Sequence, residues 1–248
     1  MRIFIIYVFI LLTSNIYSQR KHIPPGTLKI NDSLYIDQTP VTNVMYLEFL
    51  HTLQSFWTLE KHEEFKTAPK FNRQEIKHSA QAISSSAKPL FLEMSITKDA
   101  MIDNTITASL KYLWTPDYSQ YPVLQITKEQ AEMFCLWRTD IVMYLYGRSK
   151  TKKKRNKYPK EITYRLPTQE ELKQATLFFE EKRKFSITKE KSPLELDVRD
   201  IKFRHFTFFN VSEYTTDSIT FGSNWRNKTP TTFPNDYTGF RCICEVKY

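Results

Sequence analysis

The segment YPVLQITKEQAEMFCLWR, residues 121–138, carries a helix start, an apolar helical face and one of the chain's three cysteines. Thr127 with Gln130 three residues on forms a capping box. Ala131, Phe134, Cys135, Arg138, Ile141, Val142 and Leu145 then recur at helical spacing, so Cys135 is expected to face the core. Gly147 follows this pattern and reads as its C-terminal cap. The other two cysteines, Cys242 and Cys244, stand one residue apart in GFRCICE, residues 239–245. Whether the distant Cys135 joins them decides most of what the sequence says about function.

Two more helices flank this one. Residues Asn43 to Gln54 put Met45, Phe49, Leu50 and Leu53 on one face, with Thr42 or Asn43 as the cap. Thr168 opens a second capping box in TQEE and predicts burial of Leu172, Ala175 and Phe179. Between the first two helices, a stretch of weak periodicity reads as an insertion with some helix near 58–66. RHFTFF, SITFGSNW and TGFRCICEV alternate like short strands, which gives an α+β class with helices early and strands late. Only four glycines occur, so Gly26, Gly147, Gly222 and Gly239 are expected where other residues fit at a cost.

The first 18 residues, MRIFIIYVFILLTSNIYS, combine a basic start, a short apolar run and a polar end. This predicts a secretory signal peptide over 1–18, an exported mature chain from Gln19, and no lipid anchor, because no cysteine lies near that point. Residues 19–248 then suit a single domain with insertions at about 55–120 and 139–163. Formal charge is +9, but Arg148–Lys160 alone contributes eight positive charges and no acid. One basic loop is therefore the polar feature to explain. Arg148, Lys150, Lys152, Lys153, Lys154, Arg155 and Lys157 are either solvated or meet an acidic partner or an anionic membrane surface; nucleic acid is not expected of an exported chain.

Five segments in order, IPPGTLKI (23–30), DQTPVTNVMYLEFL (37–50), the opening segment, YRLPTQEELKQA (164–175), and NVSEYT with GSNW and GFRC, resemble the formylglycine-generating enzyme (sulfatase-modifying factor) domain. The resemblance spans about residues 23 to 245 and implies a C-type-lectin-like α+β fold rich in irregular backbone. Between Trp137 and Arg165-Leu166-Pro167 lie 27 residues. That spacing resembles the gliding-motility and type IX secretion branch, proteins K and J, whose role is assembly in the bacterial cell envelope. Those relatives are typically lipoproteins, so the missing acceptor cysteine implies a soluble periplasmic or secreted paralogue.

The resemblance also implies roles for single residues. The family pairs a cysteine at the position of Cys135 with that of the terminal GFRC, here Cys242, in a disulfide. Cys244 would remain as a buried thiol. A zinc site from Cys135, Cys242, Cys244 and His205 matches no common ligand spacing. Aligned on Trp225, the resemblance places the family's catalytic copper-binding cysteines near Asn227 and Thr232, neither of which can form a thiolate. NVSEY matches a segment that holds a structural calcium, which makes Asn210 and Glu213 candidate oxygen ligands, against a hydrogen-bonded turn without metal. No other cofactor is expected, and the five histidines are scattered without ligand spacing. Three functions therefore compete: a non-catalytic envelope binding or assembly protein, a diverged formylglycine-generating or other protein-modifying oxidase, and a calcium-dependent carbohydrate binder.

Overall fold

Side chains at 242–246 alternate between two apolar surfaces, and that alternation sets the architecture. Cys242, Cys244 and Val246 are buried in one core, Ile243 in another, and Glu245 is exposed. Successive residues of a strand point to opposite faces, so a strand buried on both sides must lie inside a sheet covered twice. The structure, a computed structural model, describes residues 22–55, 57, 59, 62, 112–147, 151, 156–182, 187–189, 206–208, 211–224 and 227–248. Its elements run β1 (Thr27–Lys29), β2 (Leu34–Asp37), α1 (Asn43–Ser55), α2 (Lys128–Gly147), β3 (Glu161–Arg165) and α3 (Gln169–Glu181). They continue with β4 (Ile187–Lys189), β5 (Phe206–Phe208), β6 (Ser212–Glu213), β7 (Thr238–Gly239) and β8 (Ile243–Lys247).

The main sheet has the order β1-β2-β8-β3 and is antiparallel throughout. Cys244 sits opposite Tyr35 on one side and Tyr164 on the other, so these three share a face. α1 and α2 cover that face, with Phe49, Leu53, Ala131, Phe134 and Cys135 packed against Tyr35, Tyr164, Cys242 and Cys244. α3 covers the opposite face, where Leu172, Ala175 and Phe179 meet Leu28, Ile36 and Ile243. The last strand is thus the middle of a three-layer packing. The pairs β4–β5 and β6–β7 are short and parallel.

Both predicted capping boxes form. Thr127 N–H donates to Gln130 Oε1 at 2.8 Å and Gln130 N–H to Thr127 Oγ1 at 3.2 Å. Thr168 and Glu171 make the same exchange at the start of α3. The cap of α1 differs from expectation: its first N–H groups are met by backbone, Asn43 N–H by Tyr121 O and Val44 N–H by Ser119 O. The Asn43 side chain instead donates to Tyr118 O at 2.9 Å. A neighbouring segment with free carbonyls has replaced the side-chain cap.

Other expectations need correction. Strands are not confined to the end, since β1 and β2 precede every helix; each is only three or four residues long, which left little alternation to read. Leu145 is 51% exposed, whereas Tyr146 beside it is buried, because the helical face drifts over five turns. α2 runs on to Gly147, so the helix read through Leu145 takes in Gly147 as its last residue. Residues 218–224 of SITFGSNW are irregular apart from a bridge between Phe221 and Glu213, and Trp225 lies outside the described residues. Of 58–66, Leu59 and His62 are helical and the rest lies outside the described residues, as does most of 55–120.

A charged network ties α3 to the sheet. Arg165 donates to both Glu171 oxygens at 2.7 and 2.8 Å and to Glu245 at 2.6 Å. Burial alone raises the Glu171 carboxyl, but the Arg165 guanidinium and the Thr168 N–H outweigh it and hold it below the ordinary glutamate value. A depressed folded value means the stabilisation is complete above the unfolded value near 4.3 and is lost as pH falls through the lower folded value. Arg165→Met should therefore flatten the acid side of a melting-temperature profile measured by circular dichroism. An acid limb as steep as that of the wild type would show that Glu171 is not the group being titrated.

Candidate functional site

The end of the chain brings the chemistry-bearing residues together. Phe240 and Cys242 face α2, with Phe240 edge-on to Phe134 at 5.3 Å and Cys242 Sγ 3.1 Å from Cys135 Sγ. Cys135 on its helical face and Cys242 before β8 thus meet, and the two thiols are in contact without the disulfide that the resemblance implies. Cys244 is on the same face and fully buried. Burial pushes the thiols of Cys135 and Cys244 above their ordinary value, so neither is a ready thiolate.

Arg241 points the other way. It has no exposed surface and donates from two nitrogens to the two oxygens of Glu213, both at 2.6 Å. A third nitrogen donates to Asp37 O at 3.2 Å. Glu213 itself is 3% exposed, so this is a desolvated, bidentate ion pair. It also bears on the calcium expectation: both Glu213 oxygens already accept from Arg241, and Asn210 lies outside the described residues. Among the described residues no cluster of three or more His, Cys, Asp or Glu is placed to hold a metal.

Sequence reasoning missed a node at the base of α2. Asp37 Oδ2 accepts from Arg138 at 2.6 Å and from the Cys242 backbone N–H at 2.9 Å, while Arg138 also donates to Pro25 O at 2.9 Å and lies over the Tyr164 ring. Gly26 has φ +73 there, and a Cβ on it would come 3.2 Å from Arg138. Arg138 at an otherwise apolar helical position was the available signal. Gly239 has a different reason to be glycine, because a Cβ would meet Val211 at 3.0 Å and Val123 O at 3.1 Å. Two residues further along α2, Asp140 Oδ2 accepts from Trp57 Nε1 at 2.7 Å and from His62 Nδ1 at 2.8 Å. All three residues are buried, which makes His62 a structural histidine in a hydrogen-bonded core cluster.

Asn227 and Thr232 fall in a self-supporting loop. Asn227 N–H donates to Asn224 Oδ1 at 2.8 Å, Asn227 Oδ1 accepts from Thr229 N–H at 3.0 Å, and Thr232 O accepts from Thr220 N–H at 3.1 Å. Of the basic loop, Lys157 is described: it is exposed, and its carbonyl accepts from His22 N–H at 2.8 Å. Arg148, Lys150, Lys152, Lys153, Lys154 and Arg155 lie outside the described residues. Clefts among the described residues include the following. One of about 1230 Å³ runs along β1 and Phe178, and one of about 290 Å³ is lined in part by Cys135 and Tyr164.

A family model for the sulfatase-modifying factor enzyme 1-like domain matches residues 10–220. The chain belongs to that family. The match begins inside the stretch read as a leader and stops before GFRC, so the quoted motifs and the match share residues 23–220. No curated protein and no solved structure matches the chain. A mixed helix and strand architecture is what this sulfatase-modifying factor domain presents. Among the described residues, no helix is long and apolar enough to cross a membrane.

Proposed function

We propose that this sulfatase-modifying factor domain serves as a non-catalytic binding or assembly protein of the bacterial cell envelope, exported to the periplasm or beyond, in the gliding-motility and type IX secretion branch. On this reading the domain has the C-type-lectin-like form, spans 19–248 after removal of residues 1–18, and bridges Cys135 to Cys242. One observation carries it: the chain's only cysteines are 135, 242 and 244, and all three are buried where α2 meets the end of the sheet. Asn227 and Thr232, near the copper positions that the resemblance implies, offer an amide and a hydroxyl, and neither suits copper(I), which selects soft sulfur ligands. Incubating the protein with copper and a cysteine-containing sulfatase peptide should leave the peptide unchanged by mass spectrometry. Formylglycine in the product would favour the diverged oxidase instead.

The partner surface on this reading is the basic run Arg148, Lys150, Lys152, Lys153, Lys154, Arg155 and Lys157, which suits an acidic protein surface. Deleting residues 150–157 should weaken salt-sensitive capture of envelope proteins while leaving the melting temperature unchanged. Equal capture by the deleted form would remove the loop from the interface.

A further inference from the structure

We infer that the cleft of about 290 Å³ beside α2 is a thiol–disulfide exchange port, through which a low-molecular-weight disulfide reaches the Cys135–Cys242 pair at Cys135. The inference rests on the pairing of those two cysteines and adds a direction and a route. Cys135 and Tyr164, both buried, line it together with Glu132, Leu136, Arg165 and Thr216. Neither Cys242 nor Cys244 lines the cleft, although all three thiols are buried and share one core. Cys242 Sγ lies 3.1 Å from Cys135 Sγ, so a mixed disulfide formed at Cys135 has its resolving thiol already in contact. Cys244, two residues along β8, has no such contact with Cys135 and instead lies opposite Tyr35 and Tyr164. The lining is charged or polar at Glu132, Arg165 and Thr216, but Arg165 is committed to Glu171 and Glu245, which favours a small neutral reagent over a charged one.

The chemistry balances as two exchanges. Cys135 loses its proton to water and attacks one sulfur of R–S–S–R; that bond breaks, and RS⁻ leaves and takes up a proton. Cys242 then loses its proton and attacks Cys135 Sγ, expelling the second RS⁻, which is protonated in turn. The protein pair is oxidised by two electrons and the external disulfide is reduced to two thiols. Burial raises the Cys135 thiol, so the first step is slow at neutral pH and quickens as pH rises.

The test uses the full folded chain, reduced, with hydroxyethyl disulfide as the probe and acid-quenched peptide mapping as the readout. In Cys242→Ser the adduct should accumulate on Cys135, and in Cys135→Ser neither Cys242 nor Cys244 should be modified over the same time. Thr216→Trp, which keeps its backbone bonds, should slow bond closure by about tenfold, and Leu136→Ala should speed it, since exchange depends on access. Modification of Cys242 as fast as Cys135, or closure rates unmoved by both cleft variants, would overturn the port. The pairing has its own readout: oxidative refolding should link Cys135 to Cys242 even in Thr216→Trp. A Cys135 adduct that forms normally but never resolves onto Cys242 would sink the pairing and leave the port standing.

Discussion

Replacing Arg241 by methionine should destabilise the protein by about 3–5 kcal/mol in urea unfolding, the largest loss expected from any single side chain outside the apolar core. The reason is the state in which it leaves Glu213. That carboxylate is 4% exposed at its side chain and takes both of its short hydrogen bonds from Arg241. Without the guanidinium it is a buried charge with neither water nor a counter-ion, and stability totals of about 5–15 kcal/mol leave little margin for that. The pair's net worth is a separate quantity. Changing both residues, Arg241→Met with Glu213→Leu, should recover most of the loss, because the desolvation cost disappears together with the attraction. A single variant within about 1 kcal/mol of wild type would mean that Glu213 finds another partner. Since Arg241 has no exposed surface, a binding defect in such a variant reports the fold and not a contact surface.

The legible parts of this sequence were those governed by local rules. α2 and α3 announced themselves through capping boxes and through apolar spacing long enough to average over single exceptions, and Leu172, Ala175 and Phe179 are all buried as read. The alternation of β8 likewise put Cys242 and Cys244 on one face. What could not be read was pairing at a distance. Asp37 and Arg138 are 101 residues apart and Glu213 and Arg241 are 28 apart, and no periodicity links a carboxylate at the end of one short strand to a guanidinium elsewhere. β1 and β2 were missed for a related reason, since strands of three and four residues are defined by their neighbours and not by their own pattern. At the candidate site, the buried face of Cys135 was legible, whereas the Asp37 node that positions the Cys242 backbone was not.

That contact leads to the second large expected effect. Bridging Cys135 to Cys242 closes a span of 107 residues, for which the chain-entropy account gives a stabilisation of about 4–5 kcal/mol. The native geometry asks little of the chain to form it. The sulfurs already touch, Cys242 N–H is fixed by Asp37 Oδ2, and that same oxygen holds Arg138 one turn along from Cys135, so strand and helix are anchored around the pair before any bond forms. Most of the gain should therefore come from restricting the unfolded chain, with small changes in the native state. Oxidised protein should unfold at a higher urea midpoint than reduced protein, and Cys135→Ser or Cys242→Ser should abolish the difference. Cys244→Ser should keep it, because Cys244 is the thiol left over; in the oxidised chain it should be the only cysteine to react with a thiol reagent after denaturation without reductant. Peptide mapping that joins Cys135 to Cys244 would break this account, since it would require the end of β8 to slide by two residues out of its register with Tyr35 and Tyr164.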